Sequence, residues 1–209
     1  MKRYTTLIFA VSLTLVGYTQ NPPTEDDFFN QLSNAAIELT KTKTEYDPSY
    51  FAIDYPNGDI PSHLGVNADV IIRAYRKVGI DLQQKVHEDI LENQETYGLE
   101  KWGQTEADTN IDHRRVPNLQ IFFSRKGVEL PIDQENETYK AGDIVVWQMD
   151  NSKPHIGIVT NKKSPYGTPL MVHNSTSGQR LQNVLFHFKI IGHYRYGKED
   201  KKSSNEVIL

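Results

Sequence analysis

Asn67 stands at the start of the most regular helical pattern in the chain. From Val66 to Val78 apolar residues recur on one face of a helical period, and Gly79 supplies a left-handed stop. The opening turn of such a helix has backbone N–H groups without partners and carries the positive end of the helix dipole. A fold can activate a nucleophile or bind an anion at this point. Asparagine is also a good capping residue, and we expect Asn67 to serve as the N-cap.

Two histidines lie in the predicted strands of the second half of the chain. His155 follows Pro154 at the start of one strand, and His173 ends the next strand. Imidazole groups are suited to acid-base chemistry and to metal binding, although a single histidine is more often a hydrogen-bonded interior or rim residue. Asp69 or His113 could complete a set of metal ligands, but no helical histidine pair is present. We therefore predict no metal and no other cofactor.

A polar run lies in a long segment without a helical or strand period, and it reads Asp112-His113-Arg114-Arg115. An arginine in such a run can bind a peptide carboxylate through two parallel hydrogen bonds. A solvated loop cluster held by salt bridges is an equally good interpretation. The run is therefore a candidate for ligand binding, with a plain structural alternative.

Turn-forming residues dominate from Tyr46 to Pro61 and predict a shaped loop that leads into the central helix. The loop carries Tyr46, Tyr50 and Tyr55, of which the first two are candidates for ligand binding. A tyrosine here could donate a hydrogen bond to an oxyanion. Packing of the loop is the commoner role for such residues, and we favour it over the donor role.

The secondary structure that must position these residues is predicted to change from helices to strands about half-way along the chain. The first half predicts helices with the approximate spans 24–41, 66–78, 82–97 and 117–126. Thr24 and Asp81 are the expected caps of the first and third helices. In the central helix Asp69 and Arg73 are spaced for an ordinary ion pair along the helix, and we expect that pair to form.

The second half predicts short strands separated by turns. Their residues are β-branched and aromatic, as in an antiparallel sheet, and their spans are 144–147, 155–159, 170–173, 184–188 and 191–196. The expected fold class is α+β, with N-terminal helices packed on a C-terminal antiparallel sheet. One domain is predicted over residues 35–196, preceded by a linker and the start of the first helix at 21–34. Residues 197–209 read as a charged, disordered tail.

The mature chain is expected to be exported and acidic. Lys2 and Arg3 precede an uncharged run, Leu7 to Val16, that is too short to cross a bilayer, so residues 1–20 are predicted to be a secretory signal peptide. Their removal takes away two positive charges and moves the formal charge from −4 to −6. Because the basic residues are scattered, nucleic acid is not a predicted partner. Tyr18 stands where a lipoprotein carries its lipidated cysteine, so we predict no membrane anchor and a periplasmic or extracellular location.

Short strings in fixed order resemble known protein families. Residues 142–147, 154–159 and 172–174 resemble the papain-like cell-wall peptidases of the NlpC type. Over about residues 35–196 the chain more closely resembles a bacterial envelope family catalogued as domain of unknown function 1287. The strings that carry the closer resemblance are Tyr46-Asp47-Pro48, Gly58-Asp59-Ile60-Pro61, Asp69-Val70-Ile71-Ile72-Arg73, Val86-His87-Glu88-Asp89, Asn110 to Leu119, Pro154 to Val159 and Ile191-Gly192-His193-Tyr194.

The NlpC resemblance implies an amide hydrolase that acts on peptidoglycan stem peptides. Such enzymes place a cysteine at a helix N-terminus, a histidine base on a facing strand and a third polar residue on the next strand. By position, His155 is the base, His173 orients it, and Asn67 stands in place of the nucleophile. A carboxamide cannot be activated like a thiol, and the chain contains no cysteine, which excludes cysteine chemistry. Ala68 also replaces the small hydroxyl residue expected in the closer family.

Three functions remain open, and we rank them in this order. The first is a catalytically silent papain-like module that binds cell-wall peptide or an envelope protein. The second is a peptidoglycan hydrolase that uses Ser62, Asp69 or an activated water. The third is a metal-binding protein that uses His155 and His173 with a further ligand.

Overall fold

The helices of the computed structural model lie in the first half of the chain, as expected. The structure describes residues 24–149 and 153–197, so the predicted signal peptide, linker residues 21–23 and the tail from 198 onward lie outside the described residues. Within these ranges the α-helices are α1 (Glu25–Leu39), α2 (Asn67–Lys77), α3 (Leu82–Glu92), α4 (Gln94–Tyr97) and α5 (Val116–Lys126). In the described ranges no helix has the length and apolar character that a bilayer-spanning segment needs.

The predicted helix caps at Thr24 and Asp81 are confirmed. The Thr24 hydroxyl accepts a hydrogen bond from the Asp27 N–H, and the Asp81 carboxylate accepts one from the Gln83 N–H. The single helix expected over 82–97 is wrong, because Asn93 interrupts it with φ −141° and ψ 38°. The Asn93 side chain donates to the Asp89 carbonyl oxygen at 2.9 Å. This bond uses a carbonyl that the next helical turn would have needed, so the chain restarts as α4.

The strands form a small parallel pair and one larger antiparallel sheet. The pair joins β1 (Glu45–Tyr46) to β2 (Leu64–Gly65) just before α2. The larger sheet has the order β3-β8-β4-β5-β6-β7. Its strands are β3 (Val128–Glu129), β4 (Ile144–Gln148), β5 (Pro154–Lys163), β6 (Pro169–Ser175), β7 (Gly178–Gln182) and β8 (Lys189–Arg195). Strands β4 to β7 follow one another as neighbours, and β8 returns to the other side of β4. The α+β fold class is therefore confirmed.

The strand predicted over 184–188 is wrong, and β7 takes its place in the sheet. Residues 184–188 instead cover the face of the sheet that is turned away from the helices, where Leu185 is fully buried. The Leu185 carbonyl accepts a hydrogen bond from the indole Nε1 of Trp147 at 2.8 Å. The segment is apolar because it packs over this face of the sheet. Its apolar and aromatic composition is therefore like that of a strand, although it forms none.

The sheet separates two cores. Along β4, Ile144 and Val146 face the helices, whereas Val145 and Trp147 face the opposite side. The larger core contains the buried faces of α1, α2, α3 and α5, including Tyr75, which is fully buried. Helix α2 packs on β5 and β6, and its first residue, Asn67, contacts His155 near the start of β5.

Candidate functional site

The ladder of β-strands places two histidines and a tryptophan on one face of the sheet. Gly157 pairs with His173, and His155 lies two residues before Gly157, so both imidazoles point to the same side. On the other side of β5, His155 pairs with Trp147. The ring centroids of His155 and His173 are 5.0 Å apart, and that of Trp147 lies 6.0 Å from His155. A Cβ at Gly157 would lie 3.0 Å from the indole ring, so glycine leaves the room that Trp147 occupies.

Asn67, His155, His173 and Gln182 form a continuous row of hydrogen bonds, which we call the histidine row. Asn67 Nδ2 lies 3.0 Å from His155 Nδ1, and His155 Nε2 lies 2.8 Å from His173 Nδ1. His173 Nε2 then lies 2.9 Å from Gln182 Oε1. The structure thus brings together Asn67, His155 and His173, the three residues assigned by position to the catalytic places. Gln182 was missed because it belongs to β7, which has too few apolar residues to be recognised as a strand.

The partners of the histidine row fix where its protons lie. Asn67 Oδ1 accepts the Ala68 N–H at 2.9 Å, so the amide nitrogen faces His155 and can only donate. His155 Nδ1 is therefore the acceptor, and its proton sits on Nε2. That proton is donated to His173 Nδ1, which leaves His173 Nε2 to donate to the Gln182 carbonyl oxygen. All three bonds run in one direction, and both imidazoles are neutral.

Burial favours the same neutral state. Asn67 and His173 are 8% and 6% exposed, and Trp147 forms an apolar wall beside the rings. Burial, together with the neighbouring His173, lowers the pKa of His155 to about 4. Burial also lowers the pKa of His173, although the hydrogen bond to Gln182 acts in the opposite direction. Neither imidazole is expected to carry a charge at neutral pH.

The N-cap expected at Asn67 is wrong, because the capping position is Val66 and Asn67 is the first helical residue. The Asp69 carboxylate takes the capping role by accepting the Val66 N–H at 2.6 Å. On the strand side, the Asn174 side chain donates to the carbonyl oxygens of Gly65 and Val66, at 3.0 and 3.4 Å. These bonds hold the start of α2 against β6, and they leave the Asn67 side chain to face His155.

Comparison with known proteins identifies the family. A family model described as "Domain of unknown function (DUF1287)" matches residues 33–196. The chain belongs to the DUF1287 family. It is also 47% identical over 151 residues to "Uncharacterized protein YijF" of Escherichia coli (strain K12), an alignment that covers 72% of this chain and 73% of that protein.

The ion pair expected between Asp69 and Arg73 is wrong in this DUF1287 chain. Asp69 instead binds Arg114 through two hydrogen bonds, at 2.9 Å from Nε and 3.1 Å from Nη2. Arg73 turns the other way and binds Asp59, with the closest contact at 2.9 Å. The Asp69 carboxylate points towards the N-terminus of its own helix, where it accepts the N–H of Val66. It therefore points away from Arg73, which lies one turn later in the helix.

The run from Asp112 to Arg115 is mostly interior. Arg114 holds a carboxylate of the chain itself, and it also donates to the Ser49 carbonyl at 3.2 Å. Asp112 accepts the Asp108 N–H at 2.6 Å and pairs with Arg115 at 3.3 Å. Arg115 also donates to the Gln104 side chain and lies over the Trp102 ring, 4.6 Å from its centroid. These contacts give the run a structural role: it ties loop 47–53 to the start of α2.

His113 is a buried titratable group that packing isolates from solvent. It is 2% exposed, and its Nδ1 has no hydrogen-bond partner among the described residues. Burial, together with the positive charge of Arg114, lowers its pKa to about 3. His113 is therefore neutral in the fold and contributes packing rather than charge.

The isolation of His113 predicts a loss of stability in mild acid. Its pKa is about 3 in the fold and about 6.5 in the unfolded chain, so the unfolded chain binds more protons below pH 6.5. The free energy of unfolding should therefore fall as the pH drops from 6.5 towards 3, and this group alone accounts for about 2 kcal/mol at pH 5. Urea unfolding at pH 7 and pH 5 measures the loss. In His113→Gln the loss between the two pH values should be smaller by that amount, and an unchanged loss would contradict the assignment.

The three tyrosines of loop 46–61 are exposed, and their contacts differ. The Tyr50 hydroxyl donates to Asp108 at 3.1 Å and accepts from the Asn110 side chain at 2.9 Å, so it is already occupied. The Tyr55 ring packs edge-on against His87. Tyr46 belongs to β1 and lines a groove beside the turn between β6 and β7. Tyr46 is therefore the tyrosine with the most direct access to a ligand near β6.

The alternative reactive groups lie elsewhere or are occupied. Ser62 lines a cavity of about 370 Å³ together with Arg73, Arg76 and Gln179, and neither His155 nor His173 lines that cavity. Asp69 already caps α2 and binds Arg114. Within 24–149 and 153–197, no three His, Cys, Asp or Glu side chains are placed to hold a metal ion. The histidine row is thus the best-defined candidate site.

Proposed function

We propose that this DUF1287 protein is an exported cell-envelope protein with a papain-like, NlpC-type fold whose peptidase site is catalytically silent. The observation that carries the proposal is the position of Asn67. Its carboxamide donates to His155 Nδ1 from the first turn of α2, the place where the resemblance to NlpC-type peptidases implies a thiol. In this proposal the retained site binds a peptidoglycan stem peptide and does not cleave it.

The hydrogen bonds of the row explain why the site should be silent. A peptidase base needs a lone pair that can take a proton from the nucleophile. The only lone pair of the neutral His155 ring that can accept a proton is on Nδ1, and Asn67 already donates to it at 3.0 Å. A carboxamide has no basic nitrogen, and a water at this point would have to displace Asn67 before losing a proton to His155.

The order of the elements supports the papain-like assignment. A helix N-terminus faces a histidine on one strand, and a second histidine follows on the neighbouring strand. The resemblance implies this same order of nucleophile position, base and orienting group. The α+β architecture, with helices on one face of an antiparallel sheet, is compatible with it.

A hydrolase with another nucleophile is the second candidate, but the contacts of its residues do not favour it. Ser62 would need a rearranged loop to reach His155, and Asp69 would have to give up both Arg114 and the N–H of Val66. An envelope protein as the natural ligand, in place of a stem peptide, remains an outcome of the binding test below.

Purified protein should bind a soluble stem tetrapeptide and leave it intact. We expect titration calorimetry to show binding, and mass spectrometry after long incubation to show no cleaved peptide. His155→Ala removes the centre of the row and should weaken binding, whereas His187→Ala, at an exposed residue outside the row, should not. Cleavage by the unmodified protein would support the hydrolase alternative. Absence of binding would overturn the stem peptide as ligand and leave an envelope protein as the remaining partner.

A further inference from the structure

A groove of about 780 Å³ lies between the segment that follows α1 and the turn that joins β6 to β7. Residues 40–46 form one wall, and residues 176–180 form the other. Arg180 on β7 pairs directly with His173 on β6, so the two side chains share a face of the sheet. Gln182, the last member of the histidine row, follows two residues later on the same strand. The β7 wall of the groove therefore continues into the row.

The charges along this groove are predominantly positive and uncompensated. Lys41, Lys43 and Arg180 line it with a single acidic residue, Glu45, and all four are exposed. None of them forms an ion pair within the part of the chain that the structure describes. A cleft of similar volume along α3, about 770 Å³, carries three basic and four acidic residues. The chain as a whole has a formal charge of −4, so the groove is a local exception that favours an anion.

Hydroxyl groups complete the lining of the groove. They belong to Thr40, Thr42, Thr44, Thr176 and Ser177. Thr44 is 4% exposed, and its hydroxyl has no hydrogen-bond partner in the described ranges. A buried polar group without a partner is uncommon and calls for an explanation. Among the lining residues, Thr42, Thr176 and Ser177 are exposed, and their hydroxyls can donate to the oxygens of an anion.

Gly178 brings the two walls together. Its φ of +88° suits glycine, and a Cβ there would lie 2.6 Å from the Thr44 carbonyl oxygen. No other residue type would allow the turn between β6 and β7 to approach residue 44 so closely. From this wall the Gln179 side chain donates to the carbonyl oxygens of Leu39 and Thr42, at 2.6 and 3.1 Å. These contacts fix the two walls of the groove relative to each other.

We propose that this groove binds a carboxylate of the peptide whose backbone lies at the histidine row. The inference rests on the proposed function and adds to it the chemical group that is recognised. A guanidinium binds a carboxylate through paired hydrogen bonds, two ammonium groups add positive charge, and hydroxyls donate to the remaining oxygens. A stem peptide with free carboxylates would place its charge in the groove while its chain passes His173.

A titration followed by nuclear magnetic resonance tests the groove and the row separately. The ¹⁵N-labelled protein is titrated with a synthetic stem tetrapeptide in its free-acid form and in an amidated form. Amide signals from residues 40–46 and 176–180 should shift with the free acid, and amidation should weaken binding about tenfold or more, as expected for a lost charge-assisted contact. The double variant Lys43→Gln/Arg180→Gln should show the same loss with the free acid. The matched control Lys162→Gln/Lys163→Gln, at exposed lysines of β5, should bind as the unmodified protein does.

Each pattern of shifts gives a distinct result. Shifts at Asn67, His155 and His173 without shifts in the groove, or equal binding of the two peptide forms, would overturn the groove proposal alone. Shifts in the groove without shifts in the row would support the groove and overturn the stem-peptide function of the row. No shifts with either peptide would overturn both.

Discussion

Asn67→Cys is expected to create a thiol that alkylates near neutral pH far faster than an ordinary cysteine. The new sulfur would stand in the first turn of α2 and face His155 Nδ1, where Asn67 Nδ2 now lies at 3.0 Å. The helix N-terminus and an imidazolium both favour a thiolate, so its pKa should fall below the usual value of about 8.5. The rate of iodoacetamide labelling as a function of pH measures that pKa. Slow cleavage of stem peptides is the expected companion activity.

The controls separate the histidine row from the fold as a whole. Adding His155→Ala to Asn67→Cys should suppress both the fast labelling and the cleavage. Gln31→Cys places a thiol on an exposed position of α1 and should label like a free cysteine. If the new thiol of Asn67→Cys proved inert while the protein remained folded, the assignment of position 67 to the peptidase nucleophile would be wrong.

Arg114→Leu is expected to destabilise the protein by about 3–5 kcal/mol, the usual cost of removing one partner of a buried ion pair. The Arg114 and Asp69 side chains are 2% and 4% exposed, so the variant leaves the Asp69 carboxylate buried without its cation. The substitution also releases the Ser49 carbonyl, and with it loop 47–53. Urea unfolding at pH 7 measures the change in the free energy of unfolding.

Two matched variants test the cause of that loss. Lys77→Ala breaks an exposed ion pair in which Lys77 Nζ lies 3.2 Å from Glu38 Oε2. This change should cost less than about 1 kcal/mol of stability. Asp69→Asn/Arg114→Leu removes the buried charge together with its partner and should recover part of the stability lost in Arg114→Leu. If the double variant were less stable than the single one by the full cost of losing Asp69, the buried charge would not be the main cause.

The sequence predicted helices, caps and strands correctly where neighbouring residues alone determine the structure. The central helix follows from its apolar face, and the caps at Thr24 and Asp81 follow from their side chains. The meeting of His155 and His173 follows from two adjacent strands with alternating side chains. Each of these conclusions depends on residues that are close in sequence, or on strands that follow one another.

The failures arose where a distant contact decided the outcome. Asp69 is paired with Arg114, 45 positions later, and the spacing within α2 could not show this partner. Strand β7 is polar because it lies at the edge of the sheet, so its sequence lacks the alternation that marks a strand. Gln182 therefore had no signal of its own. Its role became visible only when the β6–β7 pairing placed its side chain beside His173.

The Gln182 side chain can either accept or donate a hydrogen bond at the far end of the histidine row. With Asn67 in place, the row needs an acceptor at its far end, and the Gln182 carbonyl oxygen provides it. A thiolate at position 67 would instead need a donor from His155 Nδ1. The ring can meet that need by binding a second proton, or both imidazoles can change tautomer so that His173 Nε2 becomes an acceptor. A half-turn of the Gln182 amide then presents its NH₂ group to that nitrogen. A carboxylate at position 182 could only accept and could not make this change. The carboxamide therefore allows the hydrogen bonds of the row to run in either direction without any change in the strands.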